Sequence, residues 1–364
     1  VDSRVVVVGG GVIGLSVAWR LAASYPVTLV DPAPARGASW VAGGMLAPVT
    51  ESWPGESVLE LGCASLDRWP GFAAALGVPL AAEGTVVVAA DAADAAQLST
   101  LAAHLAALGR PVDALGGPSL RELEPAIGPG VRSGLFVPGD LAVDNRFLLS
   151  ALADAARSAG VTFDSRRARA VEPGVVRFDE GVLEAGTVVI AAGAWSASLH
   201  PLLDGLVRPV KGEILRLRVR SGALPLTHTV RALVESRPVY LVPRAGGEVV
   251  LGATQYEAGF DTDVTVAGVR DLLADAARIV PGVGEYALTE TAAGSRAGSR
   301  DNLPLVGELE PGVLVAAGQH RNGLLLAPLT ADAVCALVSG SPAPMPAAAP
   351  GRFFSPDRFV PSGR

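Results

Sequence analysis

The feature that most constrains this chain is its opening, VVVVGGGVIGLSVAW, residues 5–19. Four successive valines are β-branched and apolar on both alternating faces, which suits a parallel-sheet strand covered on both sides. Gly9, Gly11 and Gly14 follow in the spacing G-x-G-x-x-G. Apolar residues then recur at helical intervals from Val12 to Ser24, and Pro26 helps to end the helix. A second strand, VTLVD, closes on Asp31, twenty residues beyond Gly11, where a ribose-binding carboxylate belongs. Gly9 permits a tight turn, Gly11 lets backbone N–H groups approach a pyrophosphate, and Gly14 allows close helix–strand packing. The helix N-terminus adds partial positive charge. The alternative is an ordinary strand–turn–helix whose glycines only assist packing. The ordered succession of strand, turn, helix, strand and acid favours a dinucleotide site, and at this point does not separate NAD from FAD.

Bulk properties narrow the classes. A chain of 364 residues is long for one core, so two domains are expected. The net charge of -7, without long runs of one sign, argues against a nucleic-acid footprint. Cys63 and Cys335 form no CxxC, and the four histidines stand apart, so neither a disulfide framework nor a metal site is expected. No basic segment leads an apolar run into a cleavage site, and the opening stretch is too short and glycine-punctuated to span a membrane. A soluble, cytoplasmic protein is the expectation.

Two further strands end on glycine-rich turns: AGTVVIAAGAWS, and the strand–turn–helix GVLVAAGQHRNGLLLAPLTADAVCALV. The loop RGASWVAGGMLAP (36–48) is built from small, nearly uncharged residues that can run beside a bulky group. Three such turns, widely spaced, fit one long cofactor contacted along its length.

The segments VVGGGVIG, GASWVAGGMLAP, VKGE, YLVPR, VVLGAT, GFDT and GQHRNGLLLAP, in this order over almost the whole chain, resemble the D-amino-acid oxidase superfamily of FAD-dependent amine oxidases. Within it the chain is most similar to the glycine oxidases of thiamine biosynthesis. The resemblance implies non-covalent FAD and oxidation of glycine, sarcosine or small D-amino acids to imines. It implies hydride transfer to the flavin with no residue acting as catalytic base, and dioxygen as acceptor. It also implies a homo-oligomer, with a tetramer expected, and handover of the imine to a thiazole synthase.

Carried over by position, the resemblance assigns Gly9, Gly11, Val12, Ile13 and Gly14 to the pyrophosphate turn and Asp31 to the adenosine ribose. Ala38, Ser39, Gly43, Gly44 and Met45 match the cofactor-lining loop, and Val171 matches a backbone contact to the adenine. Gly318, Gln319, His320, Arg321, Asn322, Gly323, Leu324 and Leu325 match the turn beside the flavin ring. Gln319 and His320 depart from relatives that carry a histidine and an aromatic there, and Ala297 stands where many carry proline, which predicts a less rigid loop.

An amino-acid substrate brings a carboxylate, which a planar guanidinium binds through two parallel bonds. The resemblance gives Arg296 this role, Tyr240 a phenolic hydrogen bond, and Arg321 a positioning role from the flavin-side turn. Unaided, each has a plainer alternative: a solvated surface arginine, a packing aromatic in a strand, and a phosphate counter-charge. His320 is more plausibly a local hydrogen-bonding group than a base. Gln255 in GATQYEAGFDT borders the expected cavity.

The expected fold is α/β: a Rossmann-like FAD-binding domain (1–80, 140–210 and 290–364) and a second, mainly antiparallel substrate domain (81–139 and 211–289). Helices are predicted over DAADAAQLSTLAAHLAALG and NRFLLSALADAARSAG, and the Pro/Ala-rich segment after the last helix reads as a loose tail. Competing functions are an oxidase or dehydrogenase of D-alanine, D-proline or sarcosine, a nicotinamide-binding sensor, and a catalytically silent flavoprotein subunit.

Overall fold

Val5 and Val7 pack into one hydrophobic core and Val6 and Val8 into another, so the opening strand is covered on both faces. The computed structural model that shows this describes residues 3–51, 58–110 and 112–342. Val5–Val8 lies inside a six-stranded sheet ordered Leu305–Glu310, Val313–Ala317, Thr187–Ile190, Val5–Val8, Val27–Val30, Thr162–Asp164. All neighbours run parallel except the edge strand Leu305–Glu310. Helices Val12–Leu21, Asn145–Ser158 and Ala327–Ser339 cover one face through Leu15, Leu148 and Leu329. A three-stranded antiparallel sheet, whose Val171 and Val176 join the second core, covers the other. The α/β class is therefore as expected from the sequence.

A second, eight-stranded sheet is ordered Ala287–Ser299, Val207–Arg218, Glu248–Gly252, Arg237–Pro243, Thr229–Val234, Thr85–Ala89, Ser133–Val137, Asp113–Gly116. It is antiparallel except where Thr229–Val234 runs beside Thr85–Ala89. Helix Val266–Ile279 packs on one face and helix Ala92–Ala107 on the other. Both helices begin on side-chain caps. Asp91 accepts from the Ala93 and Asp94 N–H groups, and Thr265 accepts from Gly268. The cap at Asp144 starts Asn145–Ser158 in the same way.

Arg296 and Ala297 do not sit in a loop. They belong to the thirteen-residue strand Ala287–Ser299, where Val210 faces Arg296 and Pro209 faces Ala297 across the ladder. The segment ALTETAAGSRAGS has weak intrinsic strand propensity, and full-length pairing with Val207–Arg218 overrides it. The ladder, not a proline, rigidifies this position. The last helix ends on Gly340 in the left-handed region, and the tail from residue 343 lies outside the described residues. Among the described residues no helix is long and apolar enough to cross a membrane.

Candidate active site

The glycine turn is built by close approach. Gly9 adopts φ +113°, and a Cβ there would lie 2.3 Å from the Ala191 carbonyl oxygen. A Cβ on Gly14 would lie 1.8 Å from the Gly9 carbonyl oxygen, so the helix meets the turn only through glycine. Helix Val12–Leu21 starts with no acidic residue in its first turn and no side-chain cap from Gly11. Its Val12 N–H donates to Ser39 Oγ at 3.1 Å, which ties the 38–41 turn to the helix start. Asp31 follows the strand Val27–Val30. Its carboxylate accepts from the Gly10 N–H at 2.6 Å and the Ala33 N–H at 2.7 Å while lining the cavity.

That cavity has a volume of about 490 Å³ and runs from Asp31 and Arg167 past the glycine turn to Arg296 and His320. A second cavity of about 400 Å³, against the eight-stranded sheet, shares Ala38, Ser39, Arg296, His320 and Gly323 with the first. Its other walls include the Gly43–Met45 loop, Tyr240, Glu51 and Arg231. The two cavities therefore adjoin, with Arg296 in the wall common to both.

The junction is crowded by design of the sequence. Arg296 Nη1 donates to the Thr254 carbonyl at 3.2 Å and the Lys211 carbonyl at 3.4 Å. A Cβ at Gly212 would lie 2.3 Å from that nitrogen. Tyr240 is likewise packed between glycines: a Cβ on Gly252 would reach its hydroxyl at 2.4 Å, and one on Gly43 its ring at 2.7 Å. Burial pushes the Tyr240 phenol up and the Arg296 guanidinium down from their ordinary values. A neutral phenol donor thus stands beside a cation stripped of most water. Arg244 is also buried, which lowers it to about 10; it donates to the Gly43 carbonyl and so holds the loop against Tyr240.

His320 has φ +48° and lines both cavities. Burial, aided by Arg296, Arg321 and Arg208, pushes its imidazole down to about 3. It is neutral at physiological pH and unsuited to supply charge. Its Nε2, the Gln319 Nε2 and the Ser295 Oγ are buried in the first cavity's wall without hydrogen-bond partners among the described residues. Unmatched buried donors and acceptors are costly unless a bound group satisfies them.

These observations fit an extended dinucleotide. Asp31 and the glycine turn would hold its ribose and phosphates, and the unmatched Gln319, His320 and Ser295 groups would meet the polar edge of a ring. Of the residues matched to the cofactor, Gly9, Gly11, Val12, Ile13, Asp31, Ala38, Ser39, Gln319, His320 and Gly323 line the first cavity. Gly43, Gly44, Met45, Arg321 and Leu324 line the second.

Five line neither. Gly14 lies beneath the turn, and Gly318 shapes its own turn at φ +78°. The buried Asn322 donates its N–H to the Gln319 carbonyl, and the Leu325 carbonyl accepts from Ser65 and Trp69. Val171 is buried with its N–H donated to the Leu199 carbonyl at 2.8 Å; Arg167, Ala168 and Arg169 line that end instead. Cys63 and Cys335 line neither cavity.

Arg321 is held by Glu51, through Nε to the carboxylate at 3.2 Å and Nη2 to the backbone oxygen at 2.9 Å. Glu51 and Arg231 escape sequence reasoning because no local motif marks them, and Gly212 because its motif gave it no role. Only the VKGE segment, containing Gly212, carries a visible signal. Gln255 lines the second cavity, as expected.

Comparison with known proteins agrees with this construction. Residues 4–337 match the DAO family, FAD dependent oxidoreductase. The chain is 33% identical over 354 residues to a glycine oxidase of Geobacillus kaustophilus, covering 92% of each. It is 32% identical to a bifunctional protein ThiO/ThiG of Synechocystis over 98% of this chain, which spans 54% of that longer protein. The crystal structure of glycine oxidase from Geobacillus kaustophilus superposes with a TM-score of 0.89 at 32% identity, over 98% of this chain and 100% of that one. The chain belongs to the DAO family of FAD-dependent oxidoreductases.

Proposed function

We propose that this chain is a glycine oxidase that converts glycine, dioxygen and water to glyoxylate, ammonia and hydrogen peroxide, with sarcosine and D-alanine as lesser substrates. The observation that carries the reading is the buried guanidinium of Arg296 at the junction of the two cavities, beside the buried phenol of Tyr240. The names of the relatives that match it over nearly their full length support the choice of glycine.

Non-covalent FAD, when bound, supplies the acceptor for the hydride and electrons of the amine carbon. The chain's own residues bind and orient. Arg296 pairs with the substrate carboxylate, and the neutral Tyr240 hydroxyl donates to the same group. The amine must be unprotonated to release electrons. Among the described residues of the cavity wall, Arg231, Arg296 and Arg321 stand with Glu51, and the buried Arg296 disfavours an ammonium beside it. His320 is neutral and takes no proton from carbon, so positioning dominates the protein's contribution.

The wider reading is a cytoplasmic homotetramer whose parallel-sheet unit holds FAD and whose eight-stranded sheet bounds the substrate. The imine passes to a thiazole synthase for thiamine assembly, a link suggested by relatives named ThiO/ThiG. The test is product balance. Glycine should yield glyoxylate, ammonia and peroxide in equal amounts, and Arg296→Met should raise the glycine KM strongly while FAD stays bound. Unchanged turnover in that variant would refute the assignment.

A further inference from the structure

Arg296 takes its backbone acceptors from two separate parts of the chain. Its Nη1 donates to the Lys211 carbonyl on strand Val207–Arg218 and to the Thr254 carbonyl in segment 253–265. The guanidinium is therefore aimed only as well as that segment is held against the strand. Segment 253–265 joins strand Glu248–Gly252 to helix Val266–Ile279, and its residues 255–263 are all exposed. Its outer contacts lie at the surface: Phe260 stacks on Trp195 at 5.0 Å, and Glu257 pairs with Arg208 at 3.1 Å.

Lys211 holds the segment from within. Its backbone exchanges two hydrogen bonds with Tyr256, at 2.9 and 3.0 Å. Its side chain is 2% exposed. The ammonium donates to the Asp261 carboxylate at 2.5 Å and to the Asp263 carbonyl, and Glu213 Oε1 lies 3.5 Å away. Glu213, itself fully buried, accepts from the Thr265 N–H at 2.9 Å and from the Thr254 and Thr265 hydroxyls at 3.3 Å. A buried ammonium is costly unless its three donors are met, and here three acceptors meet them. An apolar side chain could fill the same space. The ammonium adds direction, tying one strand position to two points of the segment. Strand alternation sends Lys211 and Glu213 to the face opposite Gly212 and Ile214, which line the second cavity, and neither charged residue lines either cavity. Any effect of Lys211 on substrate must therefore pass through another side chain.

We propose that Lys211 is a positioning residue for the oxidation. With Asp261 it clasps segment 253–265 to the strand, which fixes the Thr254 carbonyl and so the aim of the Arg296 guanidinium at the substrate carboxylate. The inference rests on the reading of Arg296 as the partner of that carboxylate.

The test compares the FAD-loaded enzyme with Lys211→Met and with Lys211→Met/Asp261→Asn. The double variant leaves no unpaired Asp261 charge and carries the same readings if the single variant fails to fold. Amide hydrogen exchange across 253–265 should quicken by about tenfold in either. Glycolate keeps the glycine carboxylate and replaces the amine by a hydroxyl. Titrated through the flavin absorption band, it should bind about tenfold more weakly to either variant, with FAD retained. Arg296→Met alone should weaken glycolate by ~100-fold. Adding Lys211→Met to it should cost less than about a further twofold, because both act on one contact. Unchanged exchange overturns the inference, as does wild-type glycolate affinity despite faster exchange, or a full tenfold loss on top of Arg296→Met. These results leave the proposed function standing. Intact glycolate binding in Arg296→Met defeats both the Arg296 assignment and this inference.

Discussion

Replacing Gly212 by alanine perturbs the proposed carboxylate clamp directly. The added methyl would lie 2.3–2.4 Å from Nη1, Cζ and Nη2 of Arg296, and these are its three nearest contacts. Ordinary contact begins near 3.4 Å, so the guanidinium must withdraw by about 1 Å. It can do so, being the far end of a flexible side chain, but it then weakens its bonds to the Thr254 and Lys211 carbonyls. The backbone at 212 lies in a regular ladder opposite Gly294, and alanine is favoured over glycine inside a strand by roughly 0.5–1 kcal/mol. Stability should therefore change little, with the melting temperature within about 3 °C of wild type. A misplacement of about 1 Å can cost ~100-fold in rate, or about 2.7 kcal/mol of transition-state binding. Steady-state peroxide production from glycine should show that fall in kcat/KM with FAD retained. Wild-type kinetics in a folded Gly212→Ala enzyme would refute Arg296 as the clamp; loss of FAD would instead place its main role at the cofactor.

Three further outcomes follow from the same geometry. Because burial and neighbouring arginines hold His320 near 3, kcat/KM for glycine should rise with pH along the substrate amine's limb alone; a limb near pH 6.5 that His320→Asn abolishes would contradict this. Asp140, raised from 3.8 to about 7, ionises later in the folded than in the unfolded chain, so its contribution to stability is lost as pH rises through roughly 4 to 7, by up to ~4 kcal/mol. Asp140→Asn should therefore gain relative to wild type between pH 5 and pH 8 in urea unfolding, and parallel curves would count against the assignment. Gly14→Ala forces a methyl to 1.8 Å from a backbone oxygen that cannot swing aside, so it should destabilise by roughly 3 kcal/mol or more and abolish FAD retention; a normally yellow, stable variant would refute the close-packed turn.

The nucleotide turn was legible because its physics is local. A buried strand, three glycines at fixed spacing and an acid at the next strand's end lie within residues 5–31. The helices Ala92–Ala107 and Asn145–Ser158 were legible from their local periodicity, and the structure adds caps at Asp91 and Asp144. The strand carrying Arg296 was not, since its alanines, glycines and serines favour no extended structure until the partner strand imposes it. Residue identity could nominate Arg296 and Tyr240 but not the glycines that make room for them. Least legible was the cluster of Glu51, Arg231 and Arg321, which long-range folding brings together from three distant segments. Arg321 read alone is a substrate-positioning group; in the folded chain its guanidinium holds Glu51.

The central claim is that the two adjoining cavities hold a flavin and glycine side by side. Its most direct test is an anaerobic titration of the purified, FAD-loaded protein with glycine, followed through the flavin's visible absorption band. The account predicts that glycine bleaches the band and that admitting air restores it with one equivalent of peroxide. A protein that binds FAD yet keeps its full colour under glycine, sarcosine and D-alanine alike would contradict it.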